Sequence, residues 1–364
     1  STDLFGAGSF TPSQDLGDPN LSPEIKKEYE IGTDIRFFDN KIKIGYSYFY
    51  NTTDDVFFNL SLANSSGYDE IFTNAGKIEN KGMEVDFGYD IFQTEDFKIN
   101  LTANWSYYRN KVLDLKGVES IRLGGLSAVS GRAVEGYPLG VFWGTKFSRN
   151  DDGSIFLNSI GFPTLAPENG VIGDPHPDWQ GGLGTTVSWK NLNLYFLFET
   201  YQGADIYAGT RAVLLNYGRH RDSGIETVAE EDLFDYNGGL ITSGSVFRGT
   251  VHDFGAGDVA LTEPWYRGIG GYFSGVQEQF VEDGSWTRLR EVTLSYSLNG
   301  PRFRKSTKLS SIDLSITGRN LHIWTNFIGN DPDTNLTEVS TTRGIDYFNN
   351  PGTKSFVFKI TLNY

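Results

Sequence analysis

The sequence predicts an all-β fold, namely an antiparallel transmembrane β-barrel with short turns at one end of its strands and long loops at the other. Three observations lead to this prediction. Apolar and polar side chains alternate with period two along many segments of the chain. Aromatic residues make up 15% of the chain although only 38% of it is hydrophobic. Very short and very long connections separate the alternating segments, which is typical of barrels in an outer membrane.

Nine alternating segments are predicted to be strands. In the last of them Phe356, Phe358 and Ile360 share one face, and four of the five residues on the other face, 355, 357, 359, 361 and 363, are polar. A helix would scatter these side chains around its axis, whereas a strand directs alternate residues to opposite faces. Many segments reach the roughly nine to eleven residues that a tilted strand needs to cross hydrocarbon. The predicted strands are 26–38, 41–51, 81–92, 97–108, 179–190, 192–201, 285–298, 310–324 and 355–364.

The connections give these strands a direction. In transmembrane barrels the short turns are periplasmic and the long loops are external. The short connections here are 39–40, 94–96 and 190–191, and the long ones are 52–80, 109–177, 201–284 and 325–353. The last strand is then expected to end in the periplasm. Since nine is odd, the chain is expected to begin outside, with residues 1–25 in an external loop and strands and loops over 26–364.

Two further segments need a place in this scheme. Residues 139–147 and 154–157 also look extended. One additional spanning strand there would reverse the direction of all later strands, so we expect a hairpin within an external loop. The basic stretch 301–308 is expected to be a solvated periplasmic turn rather than a partner site.

A large secreted β-sandwich with one solvated face would also show alternation. The aromatic residues favour the barrel, because such residues concentrate where a membrane meets water. With the strand directions above, Trp105, Tyr107 and Trp324 lie near the outer ends, whereas Tyr89 and Tyr364 lie near the inner ends.

Several functional classes are excluded or disfavoured by composition. The formal net charge of −15 argues against binding of nucleic acid by bulk charge. The absence of Cys excludes disulfide scaffolds, Cys-ligated zinc and thiol catalysis. The segment from Asp331 to Asn335 starts like a calcium loop but lacks the Gly and Glu that such a loop needs, so a turn is favoured. With no catalytic motif in the sequence, we expect neither an enzyme nor a bound cofactor or metal.

Seven short runs, in order along the chain, carry a family resemblance. Residues 283–296 read DGSWTRLREVTLSY, and residues 74–84 read NAGKIENKGME. The remaining runs are 20–32, 135–144, 172–179, 317–321 and 330–333. In this order they resemble the SusC-like (RagA-type) branch of the TonB-dependent outer-membrane transporters, and the resemblance spans residues 20–364.

The resemblance implies a 22-stranded barrel closed by an N-terminal plug domain, of which this chain would be the C-terminal nine strands. The plug, the TonB-contacting segment and the first strands would lie outside this chain and pair with both of its edges. The resemblance further implies uptake of oligosaccharides or peptides across the outer membrane of a Bacteroidetes-type bacterium. The implied partners are a SusD-like surface lipoprotein, TonB and outer-membrane lipid, with no nucleic acid.

Three groups of residues are singled out as candidates. The first group contains candidate contacts to a substrate or to a lid partner. These loop residues suit stacking on sugars, but they equally suit packing or partner docking. They are Trp143, Trp265, Tyr266, Arg267, Asp331 and Asp333. On one strand, the charges predicted to face the lumen are Arg288, Arg290 and Glu291, since charges toward lipid cost a few kcal/mol. The residues that resemble a barrel-assembly signal are Phe356, Phe358, Ile360, Leu362 and Tyr364.

Two other functions stay open at this point. The same barrel would serve as a structural or secretion-associated scaffold that docks partner proteins without importing nutrients. A passive porin is the third reading, and it would need no TonB. The substrate is also open, because the loop aromatics suit glycans while the acidic loops suit basic peptides.

Overall fold

The main element of the computed structural model, which describes residues 14–337 and 340–364, is one antiparallel sheet of nine long strands. These are β1 (Ile25–Phe37), β2 (Ile42–Ser61), β3 (Glu70–Gln93), β4 (Phe97–Asp114), β5 (Trp179–Trp189), β6 (Leu192–Gln202), β7 (Trp286–Asn299), β8 (Ser311–Thr325) and β9 (Ser355–Asn363). Each strand pairs with the next one in the chain. The nine predicted strands and the all-β, antiparallel class are confirmed. Asp15–Gly17, from the predicted external loop 1–25, adds a short parallel pairing to β3, and residues 1–13 lie outside the described part.

The strand register brings the predicted apolar faces together across the sheet. Directly opposed residues share a face. One row of opposed residues runs through Ile44, Phe87, Ala103, Leu183 and Phe198. The neighbouring row, on the other face, runs through Gly45, Asp86, Asn104, Gly182 and Glu199. We call the side of the first row the apolar face and the side of the second row the polar face.

One end of the sheet, here called the turn end, has short connections at 38–41, 94–96, 190–191 and 300–310. Asp39, Asn40 and Lys190 have positive φ angles of 54°, 66° and 53°, as tight hairpin turns require. The predicted basic turn contains a short helix, Pro301–Thr307, which is a correction. Proline suits the first helical turn, and the helix ends at Lys308 in a left-handed conformation.

Three strands extend further than the alternation predicts. β2 continues to Ser61 and β3 begins at Glu70, so the loop expected at 52–80 is reduced to 62–69. β4 continues to Asp114, past the predicted end at 108. The β2–β3 register shifts between Thr53 and Val56, and Asp55 has a φ of 57°. Such a bulge changes the phase of the period-two pattern while strand pairing continues.

The other end, here called the loop end, carries small elements. A four-stranded sheet contains Ser120–Gly125, Ser130–Val134, Val141–Gly144 and Gly170–Gly173, and a three-stranded sheet contains Asp205–Ala208, Val281–Asp283 and Ile345–Asp346. Two-stranded pairs join Glu226–Val228 to Val246–Arg248, Leu233–Phe234 to Leu240–Ile241, and Thr250–Asp253 to Asp258–Leu261. The α-helices are Gly209–Asn216, Arg221–Gly224 and Glu263–Arg267, and the 3-10 helices are Asn64–Ser66, Gln277–Phe280 and Ser340–Thr342. None of the helices in the described ranges combines the length and hydropathy needed to cross a bilayer.

The extended segment predicted at 139–147 stays within a loop. Val141–Gly144 belongs to the four-stranded sheet, and an antiparallel bridge between Arg149 and Ile155 encloses the turn at 151–153. The path through the main sheet therefore passes from β4 directly to β5.

The long loops share a hydrophobic core at the loop end. Phe142 and Phe162 come from the first of the three longest loops, Tyr207 and Trp265 from the second, and Ile345 from the third. All five are at most 3% exposed. The three loops therefore pack as one body at this end of the sheet.

Candidate functional site

A β-bulge in β7 places the predicted charged residues of that strand. Leu289 and Glu291 pair with the adjacent residues Phe198 and Leu197 of β6, so Arg290 is the extra residue. On the other side, Glu291 pairs with Arg319 and Leu289 with His322 of β8. The bulge reverses the alternation. As a result Arg288 and Glu291 both lie on the polar face, although strict alternation would separate them.

Arg288 joins the sheet to the last long loop through a buried ion pair. Its Nη2 donates to Oδ1 of Asp331 at 2.5 Å, and the two residues are 4% and 6% exposed. Asp331 also accepts the backbone N–H of Asp333 at 3.0 Å and that of Gly352 at 3.0 Å. The carboxylate is therefore satisfied by one charged donor and two backbone donors, the condition under which a buried charge is tolerated.

Arg290 uses its whole guanidinium to bind three elements. Its Nε donates to Glu199 of β6 at 2.6 Å, its Nη1 to Asn320 of β8 at 3.0 Å, and its Nη2 to Asp333 at 3.2 Å. Asn320 in turn donates to the backbone oxygen of Thr353 at 3.0 Å. The fixed fork of an Arg side chain suits such simultaneous contacts. The bulge residue thus connects three strands to the loop of residues 326–354.

Trp286, at the start of β7, is enclosed by this network. Its ring stacks on Tyr201 with centroids 6.1 Å apart and an interplanar angle of 13°. The guanidinium carbons of Arg288 and Arg290 lie 5.3 and 5.5 Å from the ring centroid. Trp286 is 6% exposed, so its ring supports the arginines rather than offering a free face to a sugar.

A cavity of about 430 Å³ opens beside this network, between the sheet and the loops. It is lined by aromatic, carboxylate, amide and guanidinium groups, including Tyr201, Asp205, Trp286, Asp333, Asn335 and Arg343. Its volume suits a small molecule or one segment of an oligomer. Arg343 also lines a second cavity of about 330 Å³ and donates to the Tyr201 hydroxyl at 3.3 Å.

Two carboxyl groups of the larger cavity have perturbed acidities. Burial raises the pKa of Asp333 above its ordinary value, and the hydrogen bond from Arg290 opposes this effect. Burial also raises the pKa of Asp205, whose bond from the backbone N–H of Asp174 acts the other way, while the neighbouring carboxylate of Asp174 adds to the rise. The oxygens of both carboxyl groups are hydrogen-bond acceptors that line the cavity. Among the described residues, no group of three or more His, Asp or Glu could hold a metal ion.

The structure separates the other predicted loop contacts from this cavity. Trp265 and Tyr266 are 3% and 5% exposed in the shared loop core, where both pack against other residues, so they are not available to a solute or partner. Arg267 is exposed and pairs with Glu263 at 2.7 Å. The guanidinium of Arg132 lies 5.1 Å from the ring centroid of Trp143, which covers one face of that half-buried indole. Of the six predicted contacts, only Asp331 and Asp333 belong to the network or cavity described above.

The remaining predicted residues lie on the sheet. Glu291 accepts from Arg319 at 3.1 Å and from Thr293 at 3.0 Å. On β9, residues 358, 360 and 362 pair with Ile316, Leu314 and Ile312 of β8. The predicted assembly residues Phe356, Phe358, Ile360, Leu362 and Tyr364 are 64%, 76%, 69%, 49% and 92% exposed. Their role in assembly stays a prediction.

Sequence reasoning missed Glu199, Tyr201, Trp286, Asn320 and Arg343. Glu199 was detectable, because the two-residue turn at 190–191 fixes its register in β6 and puts one acidic residue on the polar face. Asn320 had a weaker signal, since Asn is favoured at positive φ and it has a φ of 53°. The contacts of Arg343 depend on loop packing over a long sequence separation, which no local pattern encodes.

The chain is similar in sequence to known proteins. A family model described as TonB dependent receptor-like, beta-barrel matches residues 2–321. The TonB-dependent receptor P3 of Formosa agariphila is 24% identical, over 96% of this chain and 35% of that protein. The TonB-dependent receptor SusC of Bacteroides thetaiotaomicron is 23% identical, over 95% of this chain and 32% of that protein. The chain thus spans about a third of the length of these relatives.

Solved structures share the same fold. The structure of the RagAB peptide transporter matches with a TM-score of 0.68 and 19% identity, over 95% of this chain and 36% of that chain. The RagAB peptide importer in its "open-open" state matches with a TM-score of 0.66 and 19% identity, over 95% of this chain and 35% of that chain. The nine strands and their loops therefore share the fold of the corresponding part of those chains.

Proposed function

Since this chain belongs to the TonB dependent receptor-like β-barrel family, and so to the outer membrane, we propose that it forms part of an importer driven through TonB. The match over residues 2–321 is the observation that carries the proposal. The sheet supports it, because one face carries rows of apolar residues such as Ile44, Phe87 and Phe198 while the other presents charged and polar groups. Such a wall separates acyl chains from a wet lumen. The loop end, with its cavities, would face the cell exterior.

The proposed importer needs further strands beyond those described. β1 is exposed along all thirteen of its residues, and β1 and β9 form the two margins of the sheet. An unpaired strand edge cannot face hydrocarbon, since its N–H and C=O groups would lack partners. We propose that additional strands of the same barrel pair with β1 and β9, and that a plug domain closes the lumen. Isolation of residues 1–364 alone as a folded, water-soluble monomer would contradict this.

The proposed substrates are oligosaccharides or peptides, taken up together with a SusD-like surface lipoprotein. The name of the RagAB neighbour supports peptides. The site supports polar oligomers generally, because its cavity joins carboxylate, amide and guanidinium groups. The enclosed rings of Trp286 and Trp265 leave less aromatic surface for sugars than the sequence implies.

Uptake in deletion strains tests the function. We expect loss of labelled oligosaccharide or peptide uptake when TonB or the partner lipoprotein is deleted, while the barrel still reaches the outer membrane in normal amount. Parallel assays with a glycan pool and a peptide pool distinguish the two substrate classes. Unchanged uptake of both pools in both deletion strains would contradict the proposal.

A further inference from the structure

We propose that the apolar face carries a binding groove for an outer-leaflet lipid with a phosphorylated headgroup, of the lipid A class. The groove has a volume of about 500 Å³ and lies toward the loop end of β4 to β7. Its main lining residues are Trp105, Trp179, Gly181, Leu183, Phe198 and Thr200. In an outer-membrane barrel this face contacts acyl chains, so the groove is open to lipid whatever fills the lumen.

A row of small residues forms the floor of the groove. Gly181 of β5 pairs with Thr200 of β6, and Thr200 pairs with Thr287 of β7. A Cβ on Gly181 would lie 2.8 Å from the backbone oxygen of Asn104, so the backbone packing itself favours glycine there. The two threonine hydroxyls lie 2.9 Å apart and bond each other. With their hydroxyls satisfied inside the protein, these residues suit contact with an alkyl chain.

Large apolar side chains surround this floor. Trp105 pairs with Gly181 at one end of the row, and Trp324 pairs with Thr287 at the other. The next row toward the turn end contains Leu183 and Phe198, and Phe198 stacks on Trp324 at a centroid distance of 6.3 Å. A depression between two indoles offers an acyl chain more contact surface than a flat wall would.

Cations extend from the groove toward the loop end. Along the same face of β4, Trp105 is followed by Tyr107, Arg109 and Lys111, at steps of roughly 7 Å. The guanidinium carbon of Arg109 lies 5.2 Å from the ring centroid of Tyr107, and Arg109 also pairs with Asp178. Lys81 of β3 is directly opposite Arg109. Lys81 and Lys111 are exposed, and no ion pair involves either of them within the described ranges.

The order of these groups matches the order of groups in one lipid. The acyl chain of the lipid would lie in the groove, and the region where the chain joins the headgroup would contact Tyr107. The phosphate oxygens would be bound by the three cations. The three cations stand out in a chain whose net charge is −15. Asp178 balances the charge of Arg109, and Glu79 lies directly opposite Lys111, so these groups together keep an excess of positive charge through Lys81. This excess favours an anionic headgroup over a zwitterionic phospholipid, which offers no net negative charge.

Native mass spectrometry of the full-length protein in mild detergent tests the groove, with purified lipid A and phosphatidylethanolamine as probes. One variant removes the cations (Lys81→Gln, Arg109→Gln and Lys111→Gln together), and Thr200→Phe fills the floor. Matched controls remove three cations at the turn end (Arg302→Gln, Arg304→Gln and Lys305→Gln together) and enlarge Thr185, which is on the apolar face but outside the groove lining, to Phe.

We expect the wild type and both controls to retain lipid A in preference to phosphatidylethanolamine. We expect the cation variant to bind lipid A at least roughly tenfold more weakly, and Thr200→Phe to lose retention independently of charge. Equal retention of lipid A by all five proteins would overturn the proposal. Retention of phosphatidylethanolamine as strong as that of lipid A would also overturn it. Neither readout depends on transport.

Discussion

The guanidinium of Arg288 and the carboxylate of Asp331 lie 2.5 Å apart, each nearly inaccessible to solvent, and join the barrel wall to a loop 43 positions later in the chain. This pair, with Arg290 beside it, fixes the loop of residues 326–354 against the polar face. Because the loop lines the cavity of about 430 Å³ next to the wall, its docking decides the shape of that cavity.

Arg288→Met is expected to release this loop. The substitution leaves the Asp331 carboxylate buried with only backbone donors, and breaking a buried pair in this way costs about 3–5 kcal/mol. Arg319→Met is the matched control, because the Arg319–Glu291 pair is largely exposed on the arginine side and should contribute less than about 1 kcal/mol. Hydrogen exchange at the Gly352 amide, which bonds to Asp331, measures the effect. Unchanged exchange in Arg288→Met would show that the pair does not hold the loop.

Substitutions at Asn320 are expected to separate the effect of backbone strain on stability from the effect of hydrogen bonding. Its φ of 53° suits Gly and Asn but not a β-branched residue. We expect Asn320→Gly to lose only the hydrogen bonds to Arg290 and Thr353. We expect Asn320→Val to lose the same bonds and to have a free energy of unfolding about 1–2 kcal/mol lower still, because Val is strained at this φ. Thermal unfolding in detergent gives the order of the three proteins. Equal stability of the Gly and Val variants would contradict the assigned bulge geometry.

The Asp205 carboxyl gives a pH-dependent prediction. Its pKa is raised, and burial is the largest cause. Ionisation of this carboxyl group therefore destabilises the folded state, and stability is lost as the pH rises through the raised pKa. Asp205→Asn keeps an acceptor for the Asp174 N–H and removes the charge. We expect a Tm about 1–3 °C higher than wild type at pH 7, with the gain vanishing below the ordinary Asp pKa of about 3.9. Asp151→Asn, in an exposed turn, is the control. If the higher Tm of Asp205→Asn persists at pH 3, the charge of Asp205 is not the cause of the difference.

The sequence pattern predicted the strands of the main sheet well, because the alternation of side chains with period two depends on each strand alone. β5, β6 and β9 begin and end within about one residue of the predictions. Pattern reading failed where bulges interrupt it, as at Asp55, so the loop at 52–80 was predicted too long. It also placed Arg288, Arg290 and Glu291 together without the bulge that makes this possible. Trp265 and Tyr266 became core residues because three distant loops meet around them, which spacing along the chain does not reveal.

Oxygen accessibility of single spin labels along β7 tests most directly whether one face of the sheet contacts lipid. The chain has no Cys, so each introduced Cys reports one position. In the full-length protein in bilayers, we predict high accessibility to dissolved oxygen at positions 289, 292, 294 and 296, and low accessibility at 288, 291, 293 and 295, with the phase reversed at the Arg290 bulge. Uniform accessibility, or alternation that continues unbroken through position 290, would contradict this arrangement.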